Sequence, residues 1–266
     1  MSVAVRTPLF VPRRGESLAR EAFLDRMRDA LVDPRFIFLA SPGDHLTSLD
    51  ESGHGAVITH NASLIGRKTV LGKGIAVTFD GTSHFSTAPD NDRLSFNVAG
   101  LTDLPLTVFA HLNVTDTAAR RLIISKFNNT AATSEWEFFV EADDHMAAII
   151  RDQSLTQNTS RLADAAVTQG SWHTLAMTYD GSGGALAGNG ITFYQDGVLV
   201  ASTPTNNASY VAMENLGGVL EIGTDTGGTL RFFAGSMAVV TVAGGVRSAA
   251  ELLNLTNLCR DYFGAF

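Results

Sequence analysis

Residues 170–202 read GSWHTLAMTYDGSGGALAGNGITFYQDGVLVAS. Trp172, Thr174, Ala176 and Thr178 alternate with His173, Leu175, Met177 and Tyr179, which sends the two sets to opposite faces of one strand. Asp180-Gly181 supplies a turn. Ile191, Phe193 and Gln195 then alternate with Thr192 and Tyr194, and Asp196-Gly197 is a two-residue hairpin signal, because such a turn needs positive φ, which Gly adopts freely and Asp tolerates. Val198 to Ala201 returns. Paired amphipathic strands of this kind predict an antiparallel sheet with one face on a core.

The segment resembles the laminin G-like, or concanavalin A-like lectin/glucanase, superfamily, whose members carry a W-H-x-L-A-x-x-Y-D-G strand and an I-x-x-Y-x-D-G-x-L-V-A hairpin. Around it, in the order the family keeps, stand LTSLDESGHGAVITHNASLIG (46–66), GIAVTFDGTSHFST (74–87), LEIGTDTGG (220–228), FFAGSMAVVTVAGG (232–245) and RSAAELLNL (247–255). The resemblance covers about residues 36–266 and implies an all-β, two-sheet antiparallel jelly-roll sandwich with a short C-terminal helix. His111 stands where the family usually has Trp, so a ligand argument resting on that aromatic is weakened.

The 266 residues suffice for one large sandwich, and 45% hydrophobic against 17% charged residues argues against disorder. Net charge −8 disfavours nucleic acid and anionic membrane as partners. The imbalance is uneven: residues 1–35 carry seven Lys/Arg against five Asp/Glu, the remainder twelve against twenty-two, so the front is suited to dock on the body. A single cysteine, Cys259, excludes an internal disulfide. MSVAVRTPLF has no apolar run of leader length before Arg6 and Pro8, so production in a cytoplasm without export is expected, and the six Asn-x-Ser/Thr sequons read as β-surface composition.

Residues 1–14, with Pro8, Pro12, Arg6, Arg13 and Arg14, read as an extended arm. Phe23, Leu24, Met27, Ala30 and Leu31 form a helical stripe over 17–32, ended by Pro34. The expected division is therefore 1–35, arm plus amphipathic helix, and 36–266, sandwich. Strands are expected at 36–40, 55–60, 74–80, 106–114, 121–127, 135–142, 146–151, 172–180, 190–202, 219–223 and 232–242. Ser248 and Glu251 form a capping-box signal before Leu252, Leu255, Cys259 and Phe263, which predicts a last helix over one edge or end of the sandwich.

Candidate chemistry is sparse. Glu135, Glu137 and Glu141 share a strand face, but their spacing lacks the central Asp of the E-x-D-x-E trio of the superfamily's glucanases, so a solvated strand face is expected. The resemblance also raises calcium, for which Asp80, Asp180, Asn189, Asp196 and Asp225 are donors by type; their Gly-containing turns explain them without an ion. His45, His54, His60, His84, His111, His145 and His173 are scattered without a zinc spacing. Trp136, Trp172, Tyr194 and Tyr210 read as packing residues before sugar platforms.

No catalytic, cofactor-binding or metal residue is therefore assigned, and no enzyme is expected. The arm carries the functional expectation: an irregular segment with two prolines gains little from its own contacts, so Arg6, Arg13 and Arg14 are expected to anchor it on a second copy or another subunit. By analogy of class, such a chain suits a bacteriophage virion component, a capsid decoration or tail/fibre protein with a lectin-like sandwich facing outward. The alternative is a carbohydrate-binding lectin-like module. A surface glycan is an expected partner in either case.

Overall fold

A computed structural model describes residues 14–40, 47–61, 68–115 and 118–264. Helix α1 (Arg14–Leu31) is followed by strands β1 (Pro34–Leu39), β2 (Thr47–Leu49), β3 (Val57–His60), β4 (Lys68–Leu71), β5 (Gly74–Asp80), β6 (Ser86–Ala88), β7 (Asn97–Val98) and β8 (Thr102–Asp103). Next come β9 (Leu106–Val114), β10 (Arg121–Lys126), β11 (Trp136–Val140), β12 (His145–Asp152), β13 (Gln157–Ala166) and β14 (Trp172–Tyr179). The chain closes with β15 (Ile191–Gln195), β16 (Val198–Val200), β17 (Ser202–Thr205), β18 (Leu220–Ile222), β19 (Ala234–Gly244) and helix α2 (Ala249–Phe263).

Two large antiparallel sheets form a jelly-roll sandwich. An eight-stranded sheet runs β16-β15-β14-β9-β19-β5-β4 with β1 also on β19, and a nine-stranded sheet runs β17-β13-β12-β11-β10-β18-β6-β3-β2. The alternation of residues 172–179 is realised: Leu175, Met177 and Tyr179 enter the core between the sheets, where Trp136, Phe138 and Ile222 meet them, while Ala176 turns outward. Asp196 and Gly197 take φ of 53° and 78°, the left-handed pair that the hairpin between β15 and β16 requires.

A third layer lies outside the eight-stranded sheet. Phe23, Leu24, Met27 and Leu31 of α1 and Leu252, Leu255, Cys259 and Phe263 of α2 bury against Phe109, Ala176 and Val239. Thus α2 covers a sheet face instead of an edge or end: the small outward side chains Ala76, Ala176 and Ala238 let a helix approach closely. The expected basic-on-acidic docking is visible in α1, where Arg20 pairs with Glu51 and Arg28 Nε donates to Glu51 O at 2.7 Å. The helix starts at Arg14, three residues before the expected start, so Arg14 belongs to α1 and not to an extended arm. Arg6 and Arg13 lie outside the described residues.

Strand β13 was not expected. Its sequence QNTSRLADAA has a weak apolar alternation, yet it pairs with both β12 and β17, which carry its register. The 190–202 strand proves to be three short pieces, β15, β16 and the start of β17, the last of which crosses to the nine-stranded sheet.

Candidate functional site

The acidic strand is buried, not solvated. Glu135 and Glu137 are 0% exposed, and each is tolerated because a cation from outside its own strand meets it. Glu135 pairs with Lys126, itself 0% exposed, and accepts from Ser95 Oγ at 3.1 Å and Leu216 N at 2.9 Å. Glu137 pairs with Arg120 at 3.2 Å, and Arg120 also holds Glu141 at 2.6 Å. The three glutamates therefore split between two networks. Burial pushes the carboxyls of Glu135 and Glu137 up to about 7, against the pull of Lys126 and of Arg120 with Arg231 respectively.

On the outer face of the nine-stranded sheet, Glu137, Ser125 and Glu221 lie opposite one another on β11, β10 and β18. Glu221, also raised to about 7 by burial, accepts from Gly227 N and Gly228 N at 3.3 and 2.8 Å. Asp225 in the same loop is raised by burial and paired with Arg231. All four side chains are buried, so no sugar ring reaches these carboxylates in this conformation.

The other sequence candidates also find protein partners. Asp80 accepts from Thr82 N, Ser83 N and His84 N; burial opposes ionisation there, but these donors hold its carboxyl well below the usual range. Asp180 accepts from Ser182 N and Asn189 Oδ1 from Asn206. Asp196 departs from simple turn chemistry: it accepts from Thr174 N at 2.8 Å and meets His173 Nδ1 at 2.8 Å, fixing the hairpin beneath α2. Among the described residues no group of three or more His, Cys, Asp or Glu is arranged to hold a metal ion. Trp136 and Tyr210 are buried and Trp172 and Tyr194 are half-buried, so these aromatics are packing groups. His111 is 0% exposed beside Trp172 and Phe263, and burial pushes its imidazole down to about 4.

What sequence reading missed is a polar cleft of about 520 Å³ at the rim, lined among others by Asp92, Ser95, Asn97, Glu214, Asn215 and Leu216. One wall is the β7–β8 hairpin, whose tip residues Ala99 and Gly100 have φ of 53° and 67° and whose Asn97 Oδ1 accepts from Gly100 N. The opposite wall is the 214–216 segment. Glu214 Oε2 accepts from Ser154 N at 2.8 Å, and Leu216 is clamped at both ends, its N–H to Glu135 and its carbonyl to Lys126 Nζ at 2.7 Å.

Asp103 locks the two walls together. Its carboxylate accepts from Tyr179 OH at 2.6 Å, Tyr210 OH at 2.8 Å and Met213 N at 2.6 Å. Two polar atoms at the cleft remain buried without a hydrogen-bond partner among the described residues, Nδ2 of Asn97 and, behind the Ser95–Leu216 wall, Oε2 of Glu135. A concavity with amides and carboxylates on its walls is suited to hold a hydroxyl-rich ligand without reacting with it.

With the sandwich and cleft established, the comparisons place the chain. The family model described as the concanavalin A-like lectin/glucanases superfamily matches residues 72–253. The chain belongs to that family. No curated protein sequence matches it.

Solved structures share the fold at low identity. The botulinum neurotoxin type G receptor binding domain aligns with a TM-score of 0.58 at 14% identity over 85% of this chain and 51% of that one. The binding domain of Paraclostridial mosquitocidal protein 1 aligns at 0.59 and 10%, over 86% and 52%. The botulinum neurotoxin serotype D ligand binding domain, in complex with N-acetylneuraminic acid, aligns at 0.59 and 11%, over 87% and 52%. This chain thus spans about half the length of these structures.

Proposed function

We propose that this protein is a non-enzymatic, carbohydrate-binding attachment module. The observation that carries the reading is the rim cleft: walls braced by Asp103, and amide and carboxylate groups that match the hydrogen-bonding habit of sugar hydroxyls. Family membership supports it, as does the sugar held by the serotype D domain. The buried, arginine-paired state of Glu137 favours binding over hydrolysis, since a general acid must reach the glycosidic oxygen. The test is titration of the full chain with a glycan panel: saturable binding without release of reducing sugar is expected, and steady turnover would overturn the non-enzymatic reading.

The finer reading is that the module sits on a multi-subunit particle, as a bacteriophage virion component, with residues 1–13 reaching a second copy or another particle protein. It is supported by the irregular, proline-containing sequence of that segment and its Arg6 and Arg13, and by α1, whose apolar stripe is already spent on the body. Light scattering of the full chain against a chain lacking residues 1–13 checks self-assembly. A defined oligomer that becomes a folded monomer supports it; two monomers would remove self-assembly and leave only docking on a different protein.

A further inference from the structure

The charge of the rim cleft carries the reading one step further, to the class of sugar, and this step rests on the carbohydrate-binding function proposed above. Asp92 and Glu214 both line the cleft, and none of its lining residues is Lys or Arg. The nearest buried cation, Lys126, is already consumed: its Nζ bonds Ser95 Oγ at 2.8 Å and Leu216 O at 2.7 Å, and it pairs with Glu135 and, at 3.0 Å, with Asp90. Arg35 reaches the neighbouring Arg93 carbonyl at 2.8 Å, but neither arginine lines the cleft. A ligand entering here meets a negative field with hydrogen-bond acceptors in excess.

We infer that the cleft takes an uncharged saccharide, through its hydroxyls, and rejects sugars that bear a carboxylate. Hydroxyl groups donate to Asp92, Glu214 and the Asn215 and Asn97 amide oxygens that line it. A sialic or uronic acid would bring its own anion into a cleft lined by two acidic residues and no cation to receive it, which is selection by repulsion. The cleft therefore differs in kind from a site that holds N-acetylneuraminic acid, as the serotype D domain does.

The test uses the full chain with lactose, N,N′-diacetylchitobiose and maltose against sialyllactose, by titration at low and at physiological salt. The expected result is binding of at least one neutral disaccharide, with sialyllactose at least tenfold weaker than lactose and the gap narrowing as salt rises. Asn215→Ala, at an exposed position, should weaken the neutral ligand at least fivefold. Asp92→Asn with Glu214→Gln should strengthen sialyllactose relative to the neutral sugar by tenfold. Tighter binding of sialyllactose, or neutral binding that these substitutions leave unchanged, would overturn this inference while the carbohydrate-binding function stands. Absence of binding to every saccharide on the panel would overturn both.

Discussion

Phe23 of α1 and Tyr262 of α2 stack with ring centroids 4.4 Å apart and planes 15° from parallel. Residues on either side of the family-matched segment 72–253 are thereby joined into one layer over the eight-stranded sheet. Phe23→Ala is expected to cost about 3–5 kcal/mol, the usual penalty for emptying a buried aromatic site. Leu18→Ala, at a side chain 72% exposed on the same helix, should change stability by less than about 0.5 kcal/mol. Urea unfolding of both variants checks this; equal effects would show that α1 is not part of the cooperative unit.

Lys126→Met should destabilise by about 3–5 kcal/mol at pH 8, because it strands the Glu135 carboxylate in the interior. At pH 5 the loss should be smaller, since Glu135, whose carboxyl burial already pushes up to about 7, then takes a proton. Adding Glu135→Leu should recover much of the loss. Denaturation midpoints at the two pH values decide it, and a pH-independent penalty would contradict the account.

The buried carboxylates also fix the pH profile of the whole molecule. Glu135, Glu137 and Glu221 have folded values raised from 4.5 to about 7, so the folded state binds their protons more tightly than the unfolded chain. Their contribution is fully present below pH 4.5 and lost as pH rises towards 7. Asp80, Asp196 and Glu251 are held below their ordinary values and act oppositely, stabilising above those values and ceasing to do so in acid. Stability should fall between about pH 4.5 and 7 as these three carboxyls ionise, opposed in part by His111, whose imidazole burial lowers from 6.5 to about 4 and which adds stability as pH rises through that interval. Glu137→Gln should make the fall shallower in urea titrations from pH 4.5 to 7.5; an unchanged slope would place the proton elsewhere.

At the start of α2, Ser248 and Glu251 form the full capping box: Ser248 N donates to Glu251 Oε2 at 2.7 Å and Glu251 N to Ser248 Oγ at 3.3 Å. Ser248→Ala should cost about 1 kcal/mol, a Tm decrease of about 2–4 °C for a chain of this size. Calorimetry would show it, and an unshifted Tm would mean that α2 is held by its apolar contacts alone.

The elements legible in the sequence are those whose signal lies within a few residues. Strict alternation placed Leu175, Met177 and Tyr179 in the core, Asp196-Gly197 set the hairpin, and Ser248 with Glu251 marked the start of α2. The family's motif order added the sandwich itself. Strand β13 escaped because its alternation is weak and its register comes from its neighbours.

The charges could not be read in this way. Glu135 and Glu137 resemble a solvated strand until Lys126, Arg120 and Arg231 are brought to them from other segments, and neither burial nor pairing has a local sequence pattern. The rim cleft is the same case: Asp92 is more than a hundred residues from Glu214 and Asn215, and they share one cleft because Asp103 binds Tyr179, Tyr210 and Met213 across the rim. Side-chain periodicity, which backbone geometry imposes residue by residue, was determined by the sequence alone. Which charges are buried, and which polar groups share a cavity, was decided by tertiary structure, because desolvation and Coulomb attraction depend on distance in space and not along the chain.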